Sequence, residues 1–403
     1  MKICIISNLY PPYVLGGAEI IVDKLVRNIA KKGNEVVVIT CSADNKEEVQ
    51  KEDNITIYSI NETKIYPTYR QTEANGLLKP FWHLFDLWNR NCRDKIIEII
   101  EKEKCEIIHV NNFKGLSLSC FEVGKKLDIP LVFESHDFSL ICPRANLIRG
   151  NDTLCENKNK ICETYVNIQR KLLGDNIDLM IAPSNFMIEK YRQNGFFNNT
   201  KCVKIPLGID FKSEKTVKDY DILDFTYIGS LGKHKGVDTL INAFKEIDDK
   251  YIRLNLIGKG YDEEEFKELA SGDDRIIFHG FVDNEKIKEY YAASNVIIIP
   301  SICYDNSPLV IYESFTTGTP VIGSNIGGIP ELIEDGRNGY LFEAGSVSQL
   351  KDKLLKVINN KELLKELEKN AFDSIPEDSI DIMCDETLEV YRRLLEKGQN
   401  VTD

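Results

Sequence analysis

Short, uninterrupted apolar runs recur along this chain, each followed by a loop bearing Gly or Ser and then by a helix-period segment. That alternation leaves few folds open. In the second half DFTYIGS (224–230) precedes LGKHKG and VDTLINAFKEI, and YIRLNLIGKG (251–260) precedes DEEEFKELA. RIIFHGF (275–281) precedes NEKIKEYYAA, and NVIIIPS leads into a further helix. Runs of roughly four to eight β-branched residues without polar alternation are strands covered on both faces, and strands alternating with helices build parallel sheets. The first half reads the same way, with KICIIS (2–7), EVVVIT (35–40), ITIYSI (55–60), CEIIHV (105–110), IPLVFESHDF (129–138) and IDLMIAPS (177–184). A chain of 403 residues exceeds one ordinary core, so two doubly wound, Rossmann-like α/β domains are expected. The charged stretch 211–221 lacks apolar periodicity and reads as the linker between them. The last helix, 379–397, carries Ile380, Cys384, Leu388, Tyr391 and Leu395 on one stripe, which must dock on a domain already formed.

In sheets of this kind ligands bind outside the carboxyl ends of the strands. The stretch 300–345, PSICYDNSPLVIYESFTTGTPVIGSNIGGIPELIEDGRNGYLFEAG, starts at such an end. Ser307 reads as a helix N-cap and Pro308 as the first helical residue. Free N–H groups and the helix dipole make that start an anion site. Asp305 precedes it and Glu313 follows eight residues later, in the second turn. Two carboxylates beside a phosphate site suit hydroxyl groups, so the ligand expected is a sugar joined to a phosphate, a sugar nucleotide. Lys233, His234 and Lys235 occupy the first loop of the second half, where Lys235 is placed to neutralise a diphosphate. Gly16 and Gly17 open the first helix of the chain and let backbone approach a ligand. Two of five histidines, His109 and His136, fall at strand ends, and Asp137 is placed to orient the His136 ring.

A net charge of −13 argues against nucleic acid as the main partner. No run reaches the 18 or so apolar residues of a membrane-spanning helix, and the N-terminus, MKICIISNLY, lacks a signal-peptide cleavage pattern. Eleven scattered cysteines fit a reducing compartment, and a cytoplasmic protein is expected. Cys142, Cys155 and Cys162 admit two readings, a zinc site or a mobile loop, and their spacing lacks a CxxC pair. From Pro80 a single helix of about 25 residues is expected. Its face of Phe81, Trp82, Leu84, Phe85 and Trp88 is read as packing on its own sheet, the other reading being an acceptor groove or a membrane-surface contact.

Taken together, the 300–345 block, GGAE (16–19), His136, PS (183–184), PLGID (206–210), GSLGKHKG (229–236), LIGKGY (256–261) and HGFV (279–282) resemble the retaining glycosyltransferases of family 4, over nearly the whole chain. The resemblance implies the GT-B fold: two Rossmann-like domains facing across a cleft. It divides the chain into residues 1–210 plus 379–403 on the acceptor side, the last helix crossing back, and 211–378 on the donor side. It assigns Glu313 to the donor ribose and Asp305 to the donor sugar, with Asp305 one methylene shorter than the family's glutamate. Lys235 would hold the diphosphate together with the backbone of Asn306, Ser307, Pro308 and Leu309. Gly16, Gly17, Gly229 and Gly258 would line the same ligand, and Phe281 and Val282 would meet the base. Ser230 stands where the family often has arginine, so Lys233 or another base would supply that charge. His136, Asp305 and Lys235 would serve catalysis.

The activity implied is metal-independent, retaining transfer of a sugar from UDP- or GDP-sugar to a glycan or lipid-linked acceptor, in cell-surface polysaccharide synthesis. The nucleotide-sugar is a co-substrate, and no further cofactor is expected. Peripheral contact with the inner face of the cell membrane goes with a lipid-linked acceptor. The alternatives are a sugar-nucleotide epimerase or hydrolase, or a silent sugar-nucleotide-binding partner subunit. A nicotinamide oxidoreductase is disfavoured because neither half carries GxGxxG with a downstream acid.

Overall fold

A computed structural model describes residues 1–43, 46–61, 68, 79–150, 152–210, 218–376 and 379–399. They form two compact units. The first comprises Met1–Asn146, Asn157–Gly208 and Ile380–Asp403, and the second Leu147–Glu156 and Ile209–Ser379.

The first unit contains β1 (Lys2–Ile6), β2 (Glu35–Cys41), β3 (Glu48–Glu52), β4 (Ile55–Ile60), β5 (Ile107–Val110), β6 (Leu131–Glu134), β7 (Leu179–Ala182) and β8 (Lys201–Lys204). They lie in the order β3-β4-β2-β1-β5-β6-β7-β8. Only the β3–β4 pair is antiparallel. The chain builds outward from β1 through β2 and β4, then returns to β1's other side with β5, with Ile3 opposite Ile107. The loops after β1 and β5 therefore diverge at a topological switch point. The helices are α1 (Gly17–Lys31), α2 (Lys79–Leu87), α3 (Arg90–Glu103), α4 (Val123–Leu127), α5 (Lys160–Leu173) and α6 (Asn185–Gln193).

The second unit has β9 (Leu223–Ile228), β10 (Ile252–Ile257), β11 (Ile276–Gly280), β12 (Val296–Ile299), β13 (Val321–Ser324) and β14 (Gly339–Phe342), all parallel in the order β11-β10-β9-β12-β13-β14. Its helices are α7 (Val237–Lys245), α8 (Glu263–Ala270), α9 (Asn284–Ala293), α10 (Leu309–Thr316), α11 (Val347–Ile358) and α12 (Lys361–Phe372). Alternate residues of β12 enter opposite layers. Val296 and Ile298 join Phe225, Phe244 and Leu254 on one face, while Ile297 and Ile299 join Ile311, Phe315 and Ile329 on the other. Each such side chain removed from water contributes about 1.5–3 kcal/mol, which is why these strands carry no polar alternation. The switch point here lies between β9 and β12.

The final helix, α13 (Ser379–Gln399), returns to the first unit from Ile380 onward. Ile380, Met383, Cys384, Leu388 and Tyr391 are buried, and Lys32, which caps the end of α1, pairs with Asp385 at 2.8 Å.

Several sequence expectations shift. The single helix from Pro80 is two, because the Asn89 side chain accepts from the Cys92 N–H and caps a new start at Arg90. The aromatic face is also divided. Trp82 is fully buried, whereas Leu84 and Phe85 stay 65% and 56% exposed; the Phe81 side chain lies outside the described residues. Strand β3 carries the polar sequence EVQKE, every residue exposed, so no apolar period announces it. Residues 147–156 group with the second unit rather than the first. Of the expected linker, 211–217 lie outside the described residues, but 218–221 belong to the second unit. Buried Lys218 donates to the carbonyls of Tyr291, Ala292 and Ser294 and to Thr319 Oγ1, closing the end of α9, and Tyr220 donates to Glu368 at 2.6 Å.

Candidate active site

The two switch points gather most of the residues singled out from the sequence, one set in each unit. In the second unit the loop after β9 forms a short 3-10 turn, Lys233–Lys235. Gly236 ends that turn at φ +68°, and a Cβ there would lie 2.0 Å from the Pro300 carbonyl oxygen. Only glycine fits, and the loop is thereby pressed against the loop after β12. Ile302 N–H donates to the His234 carbonyl at 3.1 Å, joining the same two loops.

Lys235 Nζ consequently reaches Asp305 Oδ1 at 2.6 Å, while Ser301 Oγ donates to Asp305 Oδ2 at 2.6 Å. Burial works against the lysine's charge, yet the carboxylate beside it holds its pKa above the ordinary value. The sequence assigned these two side chains to different parts of a ligand; the structure joins them in one ion pair. From the other side Gly328 N–H donates to the Asp305 carbonyl at 2.7 Å. The loop behind Asp305 is thus fixed as well as its carboxylate.

Helix α10 starts at Leu309, one residue later than expected. Pro308, at φ −68° and ψ 121°, occupies the cap position, and no side chain caps the helix. Ser307 is not the cap because its hydroxyl turns inward to Tyr312 Oη at 2.8 Å. The first N–H groups of α10 have no side-chain cap and keep the capacity to bind an anion. Glu313 sits in the second turn, half-buried, and accepts from the hydroxyl of fully buried Tyr291 at 2.6 Å. This tyrosine, on α9, fixes one carboxylate oxygen, and the sequence reading passed over it. Its signal was present: an aromatic residue in NEKIKEYYAA, the helix that precedes β12.

The remaining donor-side residues take definite places. Gly258 follows β10, and a Cβ there would meet the Gly229 carbonyl oxygen at 1.8 Å, so loop packing alone requires that glycine. Ser230 is exposed, and its carbonyl accepts from Tyr227. Lys233, expected as a substitute for the missing arginine, pairs with Glu265 of α8 at 2.8 Å. Phe281, 67% exposed, and Val282 line a depression of about 450 Å³ with Lys286 and Tyr290. Asn306 and Ser307 lie between Asp305 and α10.

In the first unit Gly16 and Gly17 do open α1. However, Gly16 N–H donates to Glu19 Oε2 at 2.8 Å, an intrahelical bond a ligand must compete with. His136 follows β6. Its Nε2 lies 2.9 Å from Asn111 Oδ1 and 3.7 Å from Glu134 Oε1. Asp137 does not orient the ring as expected, since its carboxylate accepts from the Ser139 N–H in a tight turn. His109 is fully buried in β5, with Nδ1 2.6 Å from Tyr391 Oη. Cys142 is buried while Cys155 and Cys162 are partly exposed, and among the described residues no group of three or more His, Cys, Asp or Glu could hold a metal ion. No helix of the described residues is long and apolar enough to cross a membrane.

The family model "Glycosyl transferases group 1" matches residues 209–374, and "Glycosyltransferase Family 4" matches residues 15–213. An uncharacterised 42.6 kDa protein of the cps region of Klebsiella pneumoniae is 27% identical over 85% of this chain and 90% of its own. Among solved structures, sucrose-phosphate synthase from Thermosynechococcus elongatus superposes with a TM-score of 0.77 at 20% identity, covering 98% of this chain and 99% of that one. The Anabaena protein HepE, solved with UDP, gives 0.72 at 18% identity over 97% and 100%.

Proposed function

The chain belongs to glycosyltransferase family 4, with the GT-B fold, and from that premise we propose that it transfers a sugar from a nucleoside diphosphate sugar to a glycan or lipid-linked acceptor of a surface polysaccharide. The observation that carries this reading is the grouping at the second unit's switch point: a lysine, an uncapped helix start and two restrained carboxylates, Asp305 in the loop and Glu313 in the helix that follows it. UDP- and GDP-sugars are the donors proposed. The UDP held by the structurally similar HepE supports the first, and the cps-region relative supports the polysaccharide role.

In this reading the diphosphate lies against the start of α10, where Leu309 and Val310 present N–H groups, and draws Lys235 Nζ from Asp305. The charge that develops on the departing diphosphate is met by these fixed donors, so no metal is assigned a role. Glu313 accepts from the ribose hydroxyls, with Tyr291 restraining one of its oxygens. Asp305, released from Lys235 but still held by Ser301, accepts from hydroxyls of the donor sugar. His136 and the Gly16–Gly17 backbone act from the first unit. Transfer with retention follows in this proposal by attack on the face the diphosphate leaves, the departing phosphate oxygen taking the acceptor's proton. That route needs no carboxylate nucleophile beneath the anomeric carbon.

A thermal-shift screen of UDP, GDP, ADP and their sugars tests the donor class. Stabilisation by a uridine or guanosine diphosphate sugar is expected. Retention is checked by the anomeric configuration of the transferred sugar in the product; inversion would remove that part of the reading.

A further inference from the structure

The first unit buries a carboxylate that none of the roles above uses. Glu134 ends β6, is only 4% exposed, and is flanked by two histidines on its two oxygens. Oε1 lies 3.7 Å from His136 Nε2 and Oε2 lies 3.3 Å from His109 Nε2, the latter contact outside hydrogen-bond alignment. His109 Nδ1 in turn meets Tyr391 Oη at 2.6 Å, and Tyr391 comes from α13. A buried ion pair adds little net stability, because desolvation offsets the attraction. What such a carboxylate does supply is a fixed direction and a fixed proton position for the rings around it.

The proton positions follow from chemistry. Burial drives the Tyr391 phenol well above its ordinary pKa, so it stays neutral and donates to His109 Nδ1. In the neutral form of His109 the ring hydrogen is then on Nε2, facing Glu134. Burial pushes the Glu134 carboxyl up, but His136 and His109 outweigh it and hold it below the usual range, so it is an anion. His136 Nε2 faces two acceptor oxygens, Asn111 Oδ1 and Glu134 Oε1, and carries the ring hydrogen of the neutral form, which leaves the lone pair on Nδ1. Cys384, on α13, is a further titratable group acting on Tyr391.

We infer that Glu134 is a positioning residue for His136, and that His109 and Tyr391 brace Glu134 from the C-terminal helix. The inference rests on the reading that His136 serves the reaction. It makes α13 part of the machinery of the first unit as well as a cover for its core.

The test is long-range ¹⁵N–¹H correlation of the histidine rings in the full chain, whose five histidines are assigned by single substitutions. It is paired with steady-state transfer kinetics. The neutral form of His136 in the unaltered protein is expected to be the Nε2–H tautomer. In Glu134→Gln the Nδ1–H tautomer of His136 should become populated, and kcat should fall about tenfold with the donor KM unchanged. Tyr391→Phe, which removes one hydroxyl and guards against failure of the first variant to fold, should redistribute the His109 tautomers and shift His136 less. An unmoved His136 tautomer in Glu134→Gln, or unmoved His109 and His136 in Tyr391→Phe, overturns the inference. If the tautomers move while transfer is unchanged, Glu134 still positions His136, and the catalytic reading of His136 is what fails. If His136→Ala abolishes transfer while Glu134→Gln leaves tautomers and kcat alone, the reading of His136 stands and this inference falls.

Discussion

The two sheets offer side chains at the same topological place, the switch point, but hold them by different means. In the second unit Ser301, Asp305, Ser307 and Glu313 come from one short stretch, and Lys235 and Tyr291 join them from elsewhere. In the first, His136 is held by Asn111 and Glu134, and the line through His109 ends on Tyr391, 282 residues from His109 in sequence. One site is a local motif folded around a helix start, so its chemistry is robust to the rest of the chain. The other is a tertiary convergence of strand ends and the last helix, so it depends on the whole unit being folded.

That contrast can be broken at several points. The largest effect is expected from Glu313→Ala. It removes the charged acceptor assigned to the ribose hydroxyls, so transfer should fall at least about 100-fold, with the far-ultraviolet circular dichroism unchanged. Near-normal turnover would remove the ribose role. Lys235→Ala should lower kcat/KM by about 10- to 100-fold, as the loss of one charge-assisted contact to the diphosphate requires. Asp305→Asn should lower kcat about tenfold while nucleotide affinity holds or rises, because Lys235 loses its competitor for the phosphate; calorimetry with the free nucleoside diphosphate checks this. Tyr391→Phe should cost about 1 kcal/mol in urea unfolding, one buried hydrogen bond, and should leave donor affinity in the second unit untouched.

The smallest effect is a pH dependence. The Glu134 carboxyl is depressed in the folded state, so its stabilisation is complete above the unfolded carboxylate value, about 4.3, and is lost as pH falls through the lower folded value. Thermal unfolding of Glu134→Gln should therefore lose less stability on acidification over that window than the unaltered protein does.

The same contrast explains what could be read in advance. The strand–helix alternation announced both parallel sheets, because strands buried on two faces must be apolar throughout. Asp305, Glu313 and the start of α10 were readable because their geometry is set within a few residues. The Lys235–Asp305 pair was not, since it depends on Gly236 pressing one loop onto another. Tyr291 sits in a helix-period segment like any core aromatic, and its hydroxyl contact with Glu313 is a tertiary one that no spacing announces. Glu134 ends the apolar strand Leu131–Glu134, and a strand pattern says nothing about a carboxylate's partners. Asp137 was the wrong neighbour for His136 because adjacency in sequence let it close its own turn instead. Strand β3 was missed for the opposite reason, being exposed throughout at a sheet edge with Val49 its one apolar residue.

The central claim is that the second unit holds a nucleoside diphosphate sugar with Glu313 on its ribose. Isothermal titration of the full chain and of Glu313→Ala with UDP- and GDP-sugars tests it most directly. The account predicts a saturable heat from one of these donors that disappears in Glu313→Ala. Equal affinity in both proteins, or no binding of any such donor to the unaltered chain, would contradict it.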